Sequence, residues 1–232
     1  MTPAVTDDPQ QPVTNALLLC GVAAGPLFVT VFLAEGARRP DYKPLRHPVS
    51  SLSLGPKRWV QVANFAVAGM LYLAGAAGLS RTPDPLLVTR LEPALFGAVG
   101  LGLLGSAAFT TDPVSGYPPG TPDAPAEGTK SMTMHGIAAL PIFLGIPAAA
   151  FAHARRFPRS GNSALALCSA GTGISMLATM GLAGAGFNQA PRLVNLAGLF
   201  QRAAIVTGFG WLTALSARAL RRSSRATASS AT

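Results

Sequence analysis

Charge is what this chain has least of. Asp, Glu, Lys and Arg make up 12% of its 232 residues, where a soluble domain carries about a quarter. The deficit is concentrated in six separate runs, each about the 20 residues that an apolar helix needs to cross a hydrocarbon core. Such runs leave almost no chain for a soluble domain. Cysteine is nearly missing too: Cys20 and Cys168 are the two present. Both fall inside apolar runs without metal-ligand spacing, so they are expected as small core residues rather than a disulfide. No P-loop, dinucleotide glycine fingerprint, HExxH or paired CxxC occurs. Cofactor-dependent redox chemistry and ATP-driven chemistry are therefore not expected, and neither a cofactor nor a metal is assigned. The first residues, MTPAVTDDPQQPVTN, lack a basic n-region, so the first apolar run is expected to act as an uncleaved anchor rather than a cleaved signal.

What is present is apolar and basic. Apolar residues account for 49% of the chain, the mean hydropathy is +0.38, and the net charge is +9. The arginines sit in loops and at helix ends rather than on one soluble face, which points to topology and anionic lipid head groups instead of nucleic acid. The expected fold is all-α: a polytopic bundle of six transmembrane helices with a long polar outer first loop. The spans are placed at about residues 16–34, 60–79, 93–111, 135–153, 164–187 and 193–217. Residues 1–14 are expected as a disordered tail, 15–218 as the membrane domain, and 219–232 as a basic, flexible tail. Gly97, Gly100, Gly102 and Gly105 make the third span a candidate for the bundle centre. Pro141 and Pro147 should kink the fourth. No internal repeat supports a duplicated transporter.

The first loop, Gly36 to Trp59, stands out. It holds six of the eighteen basic residues, prolines at 40, 44 and 48 that enforce an extended path, and a Ser50-Ser51 pair. Pro48 at a first helical position and Gly55 as a stop predict a short helix between them. With six spans, both termini share a side with the second and fourth loops. Nine arginines lie there: 81, 90, 155, 156, 159, 218, 221, 222 and 225. Both termini are therefore expected in the cytoplasm, although the basic first loop runs against the rule.

Polar residues of several kinds then collect at the outer helix ends. Arg202 is predicted well inside the sixth span, where a charge needs a partner facing the bundle. Glu35 and Asp112 are the expected partners. Arg202 is either a bolt paired for folding or the binder of an anionic group in an outward cavity, with Asn64, Ser50, Ser51 and Gln201 as further binding residues. Asp112, His135, His47 and Glu35 have the residue types for acid–base work, and the first three for a zinc site, but they share no motif. Helix capping by Asp112, His135 and the serines is the competing explanation.

The run His47-Pro-Val-Ser-Ser-Leu-Ser-Leu-Gly, followed by Trp59, Gln61 and Asn64-Phe65, resembles a known family. Further matching features are Thr111-Asp112, His135-Gly136 and Gly198-Leu-Phe-Gln-Arg202. Together they resemble the bacterial six-helix membrane family DUF998, a domain of unknown function distantly similar to the Frag1/DRAM/Sfk1 membrane proteins. The resemblance covers about residues 15–218. It implies six helices and an outward polar face, and it implies no reaction.

The expected function is that of an integral membrane protein with an outward-facing polar pocket, binding or scaffolding at the membrane. The alternatives are an enzyme working by acid–base chemistry on a lipid or isoprenoid, and a small-molecule transporter. Membrane lipids are the expected partners, with a lipid or isoprenoid substrate and a membrane protein as further candidates; nucleic acid is not expected.

Overall fold

The computed structural model describes residues 10–82, 89–123, 127–156 and 163–230, with side chains described as far as Arg225. Residues 1–9, Asp84 and Arg159 lie outside the described residues, and with them most of the expected N-terminal tail. The elements are α1 (Gln11–Arg38), a 3-10 turn (Val49–Ser53), α2 (Arg58–Ser80), α3 (Leu91–Ala108), α4 (Lys130–Leu140), a π turn (Pro141–Gly145), α5 (Ile146–Arg156), α6 (Ser163–Phe187), a second 3-10 turn (Val194–Leu196) and α7 (Ala197–Ser230). Among the described residues six helices are long and apolar enough to cross a membrane, with α4, the π turn and α5 forming one broken span. The chain is a multi-pass membrane protein.

These helices follow from their sequences. α1 carries proline in its first turn, where a missing N–H costs nothing, and stops when Arg39 turns extended. The expected turn after Pro48 forms, and Gly55 ends it at φ +75, a conformation that suits glycine. At Pro141 the missing N–H breaks the α ladder, and Ile146 N–H instead reaches back to Pro141 O. The expected kink is therefore a π turn. Two boundaries differ from expectation. α1 starts at Gln11, inside the stretch assigned to the tail, and α7 continues to Ser230 through the stretch assigned to a flexible tail.

The spans form a closed ring. α1 packs on α2 and α7, α2 on α3, α3 on α4, α5 on α6, and α6 on α7. Where α1 meets α2, a Cβ added to Gly75 would come within 2.8 Å of Gly21 Cα, so both residues must be glycine-sized. The ring is filled by edge-on and tilted aromatics. Phe28 lies 5.4 Å from Phe65 and 5.3 Å from Phe209, and Tyr72 lies 5.5 Å from Phe96. Leu101, Leu167 and Ile174 face outward, as lipid-covered residues should. The third helix is not at the centre. It is one member of the ring, and Gly97 faces open space.

One seam is loose. α4 packs on α3 and α5 packs on α6, but no comparable packing joins α4 to α6 or α7 among the described residues. The π turn at Pro141 is where the broken span changes neighbours, so a gap opens between α4 and α6 at the end that carries the first loop.

Candidate functional site

The first loop does not float above the bundle. It folds into the bundle end as a plug, and the start of α7 receives it. Gly198 comes so close that an added Cβ would lie 2.5 Å from the carbonyl oxygens of Pro44 and His47. Leu199 N–H donates to Leu45 O at 3.0 Å. Gln201 Oε1 accepts from Val49 N–H at 2.8 Å. Arg202 Nη1 donates to His47 O at 3.1 Å and to Gly198 O at 3.0 Å, while Nη2 donates to the Tyr42 hydroxyl. The Gly198–Arg202 run and the His47–Ser51 run are thus two halves of one contact.

Arg202 differs from expectation in its partners. It is the sixth residue of α7, about 7.5 Å along the helix axis, and the plug descends to meet it. Its side chain is 7% exposed and lies over the rings of Phe32 and Tyr42 at 5.8 and 5.5 Å. Among the described residues no carboxylate pairs with it. Glu35 is taken by Arg39, 2.6 Å away one turn later in the chain. Arg39 then donates to Leu52 O, Leu54 O and Lys57 O, each at 2.8 Å, and so anchors the far side of the plug. The sequence reading missed Arg39, for which the only signal was its four-residue spacing from Glu35.

Asp112 is used at the start of α4. Its Oδ2 accepts from Thr129 N–H at 2.8 Å and its Oδ1 from the Thr129 hydroxyl at 2.7 Å; Thr129 Oγ1 in turn accepts from Met132 N–H. This is a two-residue helix cap. His47, 3% exposed, lies between Tyr42 and Tyr117, with ring centroids 5.4 and 5.2 Å away. Its Nδ1 accepts from Lys43 N–H at 2.9 Å. Burial first, then the charge of Arg46, hold its pKa down at about 4, so the ring is neutral at pH 7. Asn64 donates to Phe28 O at 3.1 Å and to Gln61 at 3.3 Å, joining α2 to α1. Ser51 is fully buried under the plug. Among the described residues, no three His, Cys, Asp or Glu side chains are grouped to hold a metal ion.

His135, Ser50 and Gln201 have a different setting. They line a cleft of about 390 Å³ at the loose seam, walled by Leu140, Phe143 and Met180 among others. The same three residues also line a smaller cavity of about 40 Å³ that reaches Phe28, Phe65 and Phe209 in the ring core. His135 Nδ1 lies 2.9 Å from Phe109 O. A carbonyl can only accept, so Nδ1 carries the proton and Nε2 is left as a lone pair.

At the opposite bundle end, Glu92 is buried. Its Oε1 lies 2.9 Å from His153 Nε2 and 3.2 Å from Arg156, and its Oε2 accepts from Thr89 N–H and hydroxyl at 2.6 and 2.7 Å. This cluster ties α3 to α5.

The model of a family described as "Protein of unknown function (DUF998)" matches residues 22–218. No curated protein and no solved structure matches.

Proposed function

The chain belongs to the DUF998 family, and from that premise we propose that it binds a lipid or isoprenoid in the cleft between α4 and α6. The observation that carries this reading is the cleft's lining. Its walls are apolar, and the polar side chains Ser50, His135 and Gln201 gather where the plug meets them. Ligand sites commonly have this composition, a mostly apolar concavity with a few convergent polar groups. The loose seam lets a chain-like ligand enter sideways from the bilayer. Arg202, Asp112, Glu35 and His47 serve the plug and the start of α4 rather than the ligand. Acid–base catalysis by Asp112 loses support from this arrangement, since both its oxygens accept hydrogen bonds from Thr129.

Gly136 offers a clean test. It lines the cleft, and an added Cβ there meets nothing within 4 Å. Gly136→Leu should fold with unchanged melting while losing the lipid that co-purifies with wild type, as read by mass spectrometry of the purified protein. An unchanged lipid profile would count against the cleft.

For orientation, we propose a bacterial inner membrane, both termini cytoplasmic and the plug outside. Leu45 is exposed on the plug. Leu45→Cys should react with an impermeant thiol reagent in intact cells; labelling only after lysis would invert this orientation.

A further inference from the structure

The cleft's chemistry selects for the head of its ligand. Neither the cleft nor the smaller cavity behind it has an Asp, Glu, Lys or Arg among its lining residues. Arg202 is two turns or less from the cleft along α7, but its guanidinium donates to the His47 and Gly198 carbonyls and to Tyr42. A phosphate placed beside Ser50 would therefore be desolvated without a cation, which is costly.

The polar groups that face the cleft are neutral, with spare capacity of two kinds. His135 offers an acceptor, Nε2, because Nδ1–H is directed at Phe109 O. Gln201 offers a donor, because its carbonyl is taken by Val49 N–H and its amide N–H groups have no hydrogen bond among the described residues. Ser50 adds a hydroxyl that can do either. An acceptor and a donor lining one cleft match a single hydroxyl, which gives its proton to His135 and receives one from Gln201.

We propose, resting on the cleft-binding reading above, that the ligand is a lipid alcohol held by its uncharged hydroxyl, and that its phosphate ester is rejected. The hydroxyl sits between His135 Nε2 and Gln201 Nε2, and the chain leaves between α4 and α6 toward the bilayer.

The test uses the full chain in phosphatidylcholine nanodiscs with tritiated geranylgeraniol as the probe. Binding should saturate, and unlabelled geranylgeraniol should compete at least about tenfold better than geranylgeranyl monophosphate. His135→Asn keeps an N–H near the Nδ1 position for Phe109 O and deletes the Nε2 acceptor. It should weaken alcohol binding about tenfold, one net hydrogen bond's worth, with unchanged melting. Equal or better competition by the phosphate, or full affinity in His135→Asn, overturns the head-group assignment while leaving the cleft as a binding site. Absence of saturable binding by alcohol and phosphate alike overturns both this proposal and the cleft reading.

Discussion

The plug and the cleft sit side by side at one end of the bundle, share Ser50 and Gln201, and use their polar groups in opposite ways. In the plug, charge is abundant and committed. Arg202 and Arg39 between them serve five backbone carbonyls, two tyrosine hydroxyls and a carboxylate. In the cleft, charge is absent and hydrogen-bonding capacity is left over. A buried cation must find partners wherever it sits, so strongly polar residues in a membrane bundle are the first to be consumed by folding. Here the side chains left free for a ligand are the weaker ones. The difference warns against equating the most costly residue with the functional one.

The comparison breaks most readily at Arg202. Arg202→Leu removes three charge-assisted hydrogen bonds from a buried site, those to the His47 and Gly198 carbonyls and to the Tyr42 hydroxyl, a loss of about 3 kcal/mol. The expected outcome is a steep fall in folded yield, measured by size-exclusion chromatography in detergent. Wild-type yield with lost lipid binding would instead place Arg202 in the ligand site and erase the distinction between the two regions.

A smaller effect should come from His47. Its folded pKa of about 4 lies below the value near 6.5 of an unfolded histidine. Between those values the unfolded chain binds a proton that the folded chain does not, so this contribution to stability is present above about pH 6.5 and is lost as pH falls toward 4. His47→Asn keeps an acceptor for Lys43 N–H and removes the titration. Melting temperature against pH should fall less steeply over this window in His47→Asn than in wild type. Parallel curves would show that the plug does not hold His47 neutral.

The architecture was legible because the bilayer imposes a length and a composition that can be counted residue by residue. The turn between Pro48 and Gly55 was legible for a similar reason, since proline and glycine fix local backbone geometry. Arg202 was recognised as needing a partner, but its partners are backbone carbonyls of a loop over 150 residues earlier, and carbonyls leave no mark in a sequence. Asp112 and Glu35 were plausible partners by charge alone, yet each had a nearer group to satisfy: Thr129 across a loop and Arg39 one turn away. The cleft was hidden most deeply. Pro141 signalled a kink, but the gap arises because α4 and α5 choose different neighbours, and that choice is made by packing across the ring. His135, Ser50 and Gln201 were named as candidates in company with residues that turn out to serve the plug.

The most direct test of this division is to map where a lipid touches the protein. A diazirine-bearing isoprenoid alcohol, photolysed in membranes containing the wild-type chain, should label α4 and α6 around Leu140, Leu144 and Met180, and Gly136→Leu should remove that label. Labelling spread evenly over the outward faces of all six spans, unchanged by Gly136→Leu, would contradict a specific cleft.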